Sequence, residues 1–456
     1  MTISTLSANE PNLETLKSWD RTHQIHPWAA IDSWRGYDNM FVASADGIYM
    51  WDGSGKRYID GPGGMWCSQI GYGRKDMAEA IAVQVEKLSY TSPFTNSSEP
   101  SVILAKKIAD LAPGDLNNVF FTTGGSTAVD TALRTMQYLN NRRGFPKKKM
   151  IIAREKGYHG STYLAHSVSG KDRDKSHFDF DTQLVHFLPD VNPYCRPDSM
   201  STQEWCDAKI MDLQAAISKL GADKIGAFIA EPILSSVIVP ASGYQKRTWE
   251  ICRENDILYI SDEVVTGFGR LGHWFASEAV FDFVPDIITC AKGLTSGYLP
   301  LGACIISDRV MEALSQGEEQ SAFTNGYTYS GHPVSCVAAL KNIEIIENEK
   351  ILENVRNVTP HFQKRLKELM KYDIVGDARG MGLLGCIECK ADDLEAERSL
   401  GSRVDQACEE LGLIVRPLIN MAVFSPPLII TLKQIDEMFD ILEMALIKVE
   451  NELKLN

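Results

Sequence analysis

Two textures of hydrophobic patterning divide the chain. From about residue 75 to 310, short apolar runs alternate with stretches in which apolar residues recur three and four apart. The runs are "NNVFFTTGG", "KKKMIIAREKGYHG", "KIGAFIAEP", "ILYISDE", "PDIITCAKG" and "PLGACIISD", bounded by Gly, Pro, Asp or Asn. Around them, "RKDMAEAIAVQVEKL" and "STAVDTALRTMQYLNNRRG" carry helical spacing. Strands that are apolar throughout are buried on both faces, so the pattern predicts an α/β sheet, mostly parallel and covered by helices on each side. Upstream lies a polar arm with aromatics at Trp19, Trp28, Trp34 and Tyr37, and then "GIYMWDGSGKRYIDG", two short runs around Asp52-Gly53-Ser54-Gly55 that predict a hairpin. After "YSGHPVSCVAALKNIEIIENE" the texture changes. Charged amphipathic helices over 348–371 and 432–454 flank short strands near 382–389 and 412–430, which predicts a smaller α+β domain reached by a continuous helix from about 333. The chain is therefore expected to divide into 1–66 (the arm and part of the small domain), 67–330 (a large domain) and 331–456 (the C-terminal small domain).

Composition narrows the function classes. The 456 residues are 44% hydrophobic, enough for a large core, and the formal net charge of −14 argues against a phosphate-backbone or anionic-membrane partner. No window approaches the roughly 18 unbroken apolar residues of a membrane span. The start, "MTISTLSANEPNLETLK", has no basic flank leading into an apolar run, as a secretory signal would. Ten cysteines are scattered singly except for Cys386-Ile387-Glu388-Cys389. That pair sits in a strand-like stretch, where positions three apart face opposite ways, and no second pair completes a zinc site. Core thiols in a reducing, cytoplasmic compartment are expected, with no metal.

Candidate chemistry gathers at the ends of the apolar runs. "ILYISDE" closes on Asp262 and Glu263, and a charge buried without a partner costs several kcal/mol. "PDIITCA" closes on Lys292, a residue type seldom buried unless paired or functional; taken alone it also reads as a lysine snorkelling to solvent. "FFTTGGSTAVD" runs from strand through Gly124-Gly125-Ser126-Thr127 into a helix, either an anion cradle or an ordinary hydroxyl cap. Gly267-Phe268-Gly269-Arg270-Leu271-Gly272 formally matches G-x-G-x-x-G. A dinucleotide site would need the strand to enter the first glycine directly and a helix to follow, and neither is present.

Together these segments resemble the class III pyridoxal-phosphate aminotransferases. The resemblance rests on "ISDEVVTGFGRLG", then "PDIITCAKGL" with Lys292 thirty residues past Asp262, and on "YHGST", "AEP" and "YTYSGHP" in the same order. It spans about 20 to 450 and is closest to the ω-amino acid or amine:pyruvate branch, which shares the aromatic of "GGMWCSQIGYGR" and a late "LIVRP". It implies the fold type I architecture of pyridoxal-phosphate enzymes, a mainly parallel mixed sheet in a large domain beside a smaller α+β domain. It implies that Lys292 holds the cofactor and shuttles the substrate proton, while Asp262 faces the pyridine nitrogen. Gly125 and Ser126 would bind the phosphate, Tyr158 and Val264 would flank the ring, and Glu231 would hydrogen-bond nearby. Thr328 would reach the phosphate from a neighbouring subunit, which implies a homodimer or a tetramer. Trp66, Phe94 and Tyr158 would wall the substrate pocket. Arg416 would bind the carboxylate of the 2-oxo acid acceptor, although alone it reads as a surface arginine at a strand end.

Two departures matter. Thr127 stands where the family's phosphate turn usually carries glutamate. "EPILSSVIVPASGY" lacks the acidic residue that relatives acting on ornithine or 4-aminobutyrate place after "EP", which favours the amine:pyruvate branch. A decarboxylase or aminomutase of the same fold, or a catalytically idle cofactor binder, remains compatible with these residues. Glu263 and Arg270 read as structural.

Overall fold

The structure, a computed structural model of the chain, describes residues 11–36, 38–316 and 321–454. Residues 1–10 and Tyr37, part of the polar arm and of the N-terminal reading above, lie outside them. All six apolar runs are strands of one seven-stranded sheet. Its order is Asn118–Thr122, Gly302–Ile306, Ile287–Cys290, Leu258–Asp262, Ile225–Ala230, Met150–Arg154, Val185–Leu188. Only Gly302–Ile306 runs against its neighbours, and the others are parallel. Five strand ends that carry candidate residues, after Thr122, Arg154, Ala230, Asp262 and Cys290, therefore open on one edge of the sheet.

Burial follows the period of two. Ile151, Ala153, Ala227, Ile229, Leu258 and Ile260 pack with Val129, Leu133 and Met136 of the helix Gly125–Arg142. The alternate residues Ile152, Phe228, Ala230 and Tyr259 pack on the opposite face with Leu213, Ile217 and Cys252. Both faces being covered, the strands have no polar face to show, which is why they read as continuous apolar runs.

The predicted hairpin forms from Tyr49–Asp52 and Arg57–Asp60, and Leu413–Ile414 adds to it in parallel. The first strands and the C-terminal region thus share one sheet. A second small sheet joins Val375–Met381, Leu384–Cys389, Met421–Phe424 and Arg416–Leu418. Cys386 packs with Trp66 and Val423, whereas Cys389 belongs to the core on the other side with Val404 and Phe439. The described residues contain no cluster of metal-ligating side chains and no helix long and apolar enough to cross a membrane.

The helix expected to run on from 333 is broken. Pro333–Asn348 ends, Lys350 takes φ +53, and Ile351–Glu368 starts afresh. The first helix lies between two cores, giving Cys336 and Ile343 to one and Ile345 and Ile346 to the other.

The glycine turn after Asp262 is followed by neither helix nor strand up to residue 286. Glu263 and Arg270 do not pair with each other. Glu263 accepts from the N–H groups of Ala276 (2.6 Å) and Ser277 (3.0 Å) and from the Thr266 hydroxyl (3.0 Å). Arg270 donates to the carbonyls of Pro426 (2.6 Å) and Leu383 (3.2 Å) and to the Gln69 side chain, binding three distant segments at one point.

Candidate active site

The five strand ends converge on a cavity of about 1220 Å³. Nine of the residues singled out from the sequence line it: Trp66, Gly125, Ser126, Tyr158, Glu231, Asp262, Val264, Lys292 and Arg416. They come from seven separated parts of the chain, so only the fold brings them together.

Asp262 ends its strand with a side chain only 4% exposed. One oxygen accepts from the Thr289 hydroxyl (3.1 Å) and the Val264 N–H (3.2 Å), and the other lies 2.7 Å from Nδ1 of His159. His159 was not singled out from the sequence, although it directly follows Tyr158 in "YHGST". Its Nε2 lies 3.7 Å from Glu231, which accepts from the Tyr158 N–H (2.8 Å) and from Arg154 (3.1 Å). A buried series of alternating charge results: Asp262, His159, Glu231, Arg154. Burial alone would lower the imidazolium pKa of His159, but the Glu231 and Asp262 carboxylates outweigh it and hold it above its ordinary value. Burial likewise pushes Glu231 up, and His159 and Arg154 bring it below its usual range. Glu231 thus acts on the site through His159 and the Tyr158 backbone.

Lys292 adopts φ +38, a left-handed conformation costly for a side-chain-bearing residue. Asn342 holds the turn by donating to the carbonyls of Gly293 (2.8 Å) and Leu294 (3.0 Å). The Lys292 Nζ sits 4.9 Å from the Trp66 ring centroid. Burial lowers its pKa to about 8; Asp262 opposes that, while Lys171 and Arg416 reinforce it.

At Gly125–Arg142 the helix begins without a side-chain cap, so its first N–H groups are free for a ligand. Ser126 Oγ accepts from the Ser161 N–H (3.1 Å), and a Cβ on Gly160 would meet that same Oγ at 2.4 Å. A Cβ on Gly125 would press on Val264 at 3.0 Å. These absences of side chain leave a cradle at a helix N-terminus, where N–H groups and dipole favour an anion.

The donor set fits pyridoxal phosphate on each count. The cradle suits the phosphate, a buried carboxylate suits a protonated pyridine nitrogen, and a desolvated amine suits the carbonyl carbon. Tyr158 and Val264 both line the same cavity.

Two predicted residues lie elsewhere within one chain. Phe94 is 70% exposed and lines a second cavity of about 320 Å³ with Tyr327, and Thr328 is exposed, its carbonyl accepting from Tyr90 (3.0 Å). Val102, also exposed, lines that second cavity, and exposed Tyr329 meets Tyr90 edge to face at 6.1 Å. Conversely, Trp28 of the arm and Lys171 enter the main cavity with no local sequence signal.

The model of the family Aminotransferase class-III matches residues 33–446. The putrescine–pyruvate aminotransferase of Pseudomonas aeruginosa is 38% identical over 434 residues, covering 93% of this chain and 94% of that one. Among solved structures, a thermostable (S)-enantioselective omega-transaminase from Thermomicrobium roseum superposes with a TM-score of 0.92 at 33% identity, covering 96% and 99% of the two chains. The PMP-bound form of an aminotransferase from Vibrio fluvialis gives 0.90 at 33% identity, covering 97% and 100%.

Proposed function

The chain belongs to the class III aminotransferases, a pyridoxal-phosphate-dependent family, and from that premise we propose that it moves the amino group of a primary amine or ω-amino acid to pyruvate, releasing alanine by a ping-pong cycle. The observation that carries this reading is the meeting of Lys292, Asp262 and Arg416 in one cavity from three separate segments. When bound, the cofactor supplies an electron sink for the carbanion left as the substrate loses its Cα proton. Asp262, anchored by Thr289, Val264 and His159, is the carboxylate that would hold the pyridine nitrogen protonated. Lys292 Nζ moves the proton, and a pKa lowered toward neutrality leaves part of it unprotonated near pH 7. Arg416, half-buried and with no carboxylate at ion-pair distance among the described residues, offers its planar donor fork to the acceptor's carboxylate.

We further assign residues 1–66 to the N-terminal arm and part of the small domain, 67–330 to the large domain and 331–456 to the C-terminal small domain, on the strength of the sheet shared by Arg57–Asp60 and Leu413–Ile414. Exposed Phe94 and Thr328, off the cavity in a single chain, support a homodimer in which each subunit completes its partner's site. All ten cysteines are unpaired, as suits a reducing cytoplasm.

Alanine formed from pyruvate, one mole for each mole of donor consumed and without carbon dioxide release, is the expected result with purified protein. Donor consumed without pyruvate would instead favour the decarboxylase or aminomutase reading. A bound cofactor that no amine alters would favour the idle binder.

A further inference from the structure

Three cations in the cavity wall, Lys171, Lys292 and Arg416, lack a carboxylate at ion-pair distance among the described residues, and the proposed reaction uses two of them. Lys292 and Arg416 have their tasks. Lys171 does not. Arg173 is paired with Asp174 at 2.9 Å, and the Glu231 and Asp262 carboxylates are engaged by His159. Asp32 stands at the exposed rim.

The chain takes trouble to place Lys171. Gly170 donates to the Gly157 carbonyl (2.8 Å) and accepts from the Lys156 N–H (2.8 Å), which pins the backbone to the loop that carries Tyr158. A Cβ at Gly170 would lie 2.0 Å from the Arg154 carbonyl, so only glycine allows that approach. Lys171 Nζ then donates to Ser235 Oγ at 2.6 Å and sits 5.5 Å from the Tyr158 ring centroid. Tyr158 meets Trp28 edge to face at 5.7 Å, and the Arg416 guanidinium lies 5.6 Å from the Trp28 ring centroid. Two cations thus stand at the two ends of an aromatic pair, and an ammonium retains donors beyond the one spent on Ser235.

Resting on the transaminase reading, we propose that Lys171 and Ser235 form a second anion-reading subsite. Through it the enzyme selects donors that carry an anionic group at the end remote from the amine, ω-amino carboxylates or ω-amino sulfonates. Neighbouring charges agree with this assignment. Burial, with Arg173 and Arg416 acting the same way, lowers the Lys171 pKa, while Glu231 and Asp174 hold it up. An anionic tail would relieve that repulsion, and a second ammonium would add to it. The enzyme accordingly disfavours diamines, unlike the relative named for putrescine.

The test compares amine donors of equal length ending in carboxylate, sulfonate, methyl or ammonium, with pyruvate as acceptor, in wild type, Lys171→Met and Lys171→Arg. In wild type, kcat/KM for an anionic-tail donor exceeds that of its methyl-ended counterpart by about tenfold or more, and the ammonium-ended donor is poorest, as for a charge-assisted hydrogen bond gained or a like charge met. Lys171→Met collapses that ratio, mainly through KM, and Lys171→Arg restores much of it. Whichever anion, carboxylate or sulfonate, has the larger ratio is the natural tail. Parity of methyl and anionic tails in wild type, or an unchanged ratio in Lys171→Met, overturns the subsite. Calorimetric binding of butanoate and propane-1-sulfonate to the holoenzyme in an Arg416→Ala background separates the two readings. Binding that needs Lys171, with no donor turned over, leaves the subsite standing and removes the transaminase. Binding indifferent to Lys171→Met overturns the subsite whatever the turnover.

Discussion

Lys292→Met should make the cofactor-stripped protein more stable, and only on the acid side of a defined pH window. Burial lowers the Lys292 pKa from its ordinary 10.5 to about 8, against the pull of Asp262. At ~1.4 kcal/mol for each pH unit, that lowering corresponds to about 3 kcal/mol by which the fold disfavours the ammonium. Below pH 8, folded and unfolded chains both hold the proton and the fold bears the whole cost. Between about 8 and 10.5 only the unfolded chain binds it, so stability rises with pH. Above that both are neutral and the cost is gone. Methionine matches the length of the stem and carries no charge, so Lys292→Met should gain about 3 kcal/mol near pH 7, a gain that shrinks steadily toward pH 10. Urea unfolding of both cofactor-free proteins at several pH values measures the difference. A gain that is absent at pH 7, or that does not change with pH, would refute the claim that Lys292 is held desolvated. The same desolvation is what equips the amine to act as a base, so the two properties stand or fall together.

Other consequences are simpler to state. Gly170→Ala would drive a methyl group into the Arg154 carbonyl, 2.0 Å from the new Cβ, at a cost of about 3 kcal/mol or more in urea unfolding. His159→Phe keeps much of the volume but strips Asp262 of its 2.7 Å partner; a loss of about 3–5 kcal/mol and weakened cofactor retention are expected, the latter read by equilibrium dialysis. Arg416→Ala should raise the KM for pyruvate about 10- to 100-fold, as removal of a charge-assisted pair does, and should weaken the half-reaction with an uncharged amine much less. An equal loss in both half-reactions would show that Arg416 serves the fold rather than the acceptor.

The large sheet was legible because its strands are buried on both faces and so announce themselves as apolar runs. Val185–Leu188 was not. It is four residues long at the sheet's edge, only Leu188 is fully buried, and His186 interrupts the run. The break at Lys350 was missed for a different reason. Apolar spacing continues through Ile345, Ile346 and Ile351, which all join one core, and the turn between the helices is made by Lys350 at φ +53 rather than by Gly or Pro.

For the site, legibility tracked whether a residue's chemistry clashes with its local setting. Asp262 and Lys292 are charges at the ends of apolar strands, and only a partner or a function justifies that expense. The residues that completed their setting carried no such clash. His159 bridges Asp262 and Glu231 across sequence separations of 103 and about 70 residues, and a histidine in a polar loop signals nothing by itself. Lys171 looks like one more charge in "SGKDRDKSH" until the fold sets it, half-buried, against Ser235 and Tyr158. Strand-end residues fix where the reaction happens, because the sheet carries them there. Residues that arrive on loops decide which molecules are admitted, and their charge acquires meaning only from neighbours far away in sequence. Asp262 follows the first rule: its strand delivers it to the cavity, and a loop histidine keeps its carboxylate paired while its other contacts hold it in place. Lys171 follows the second, which is why the reaction could be read from one sequence and its donor class required the assembled wall.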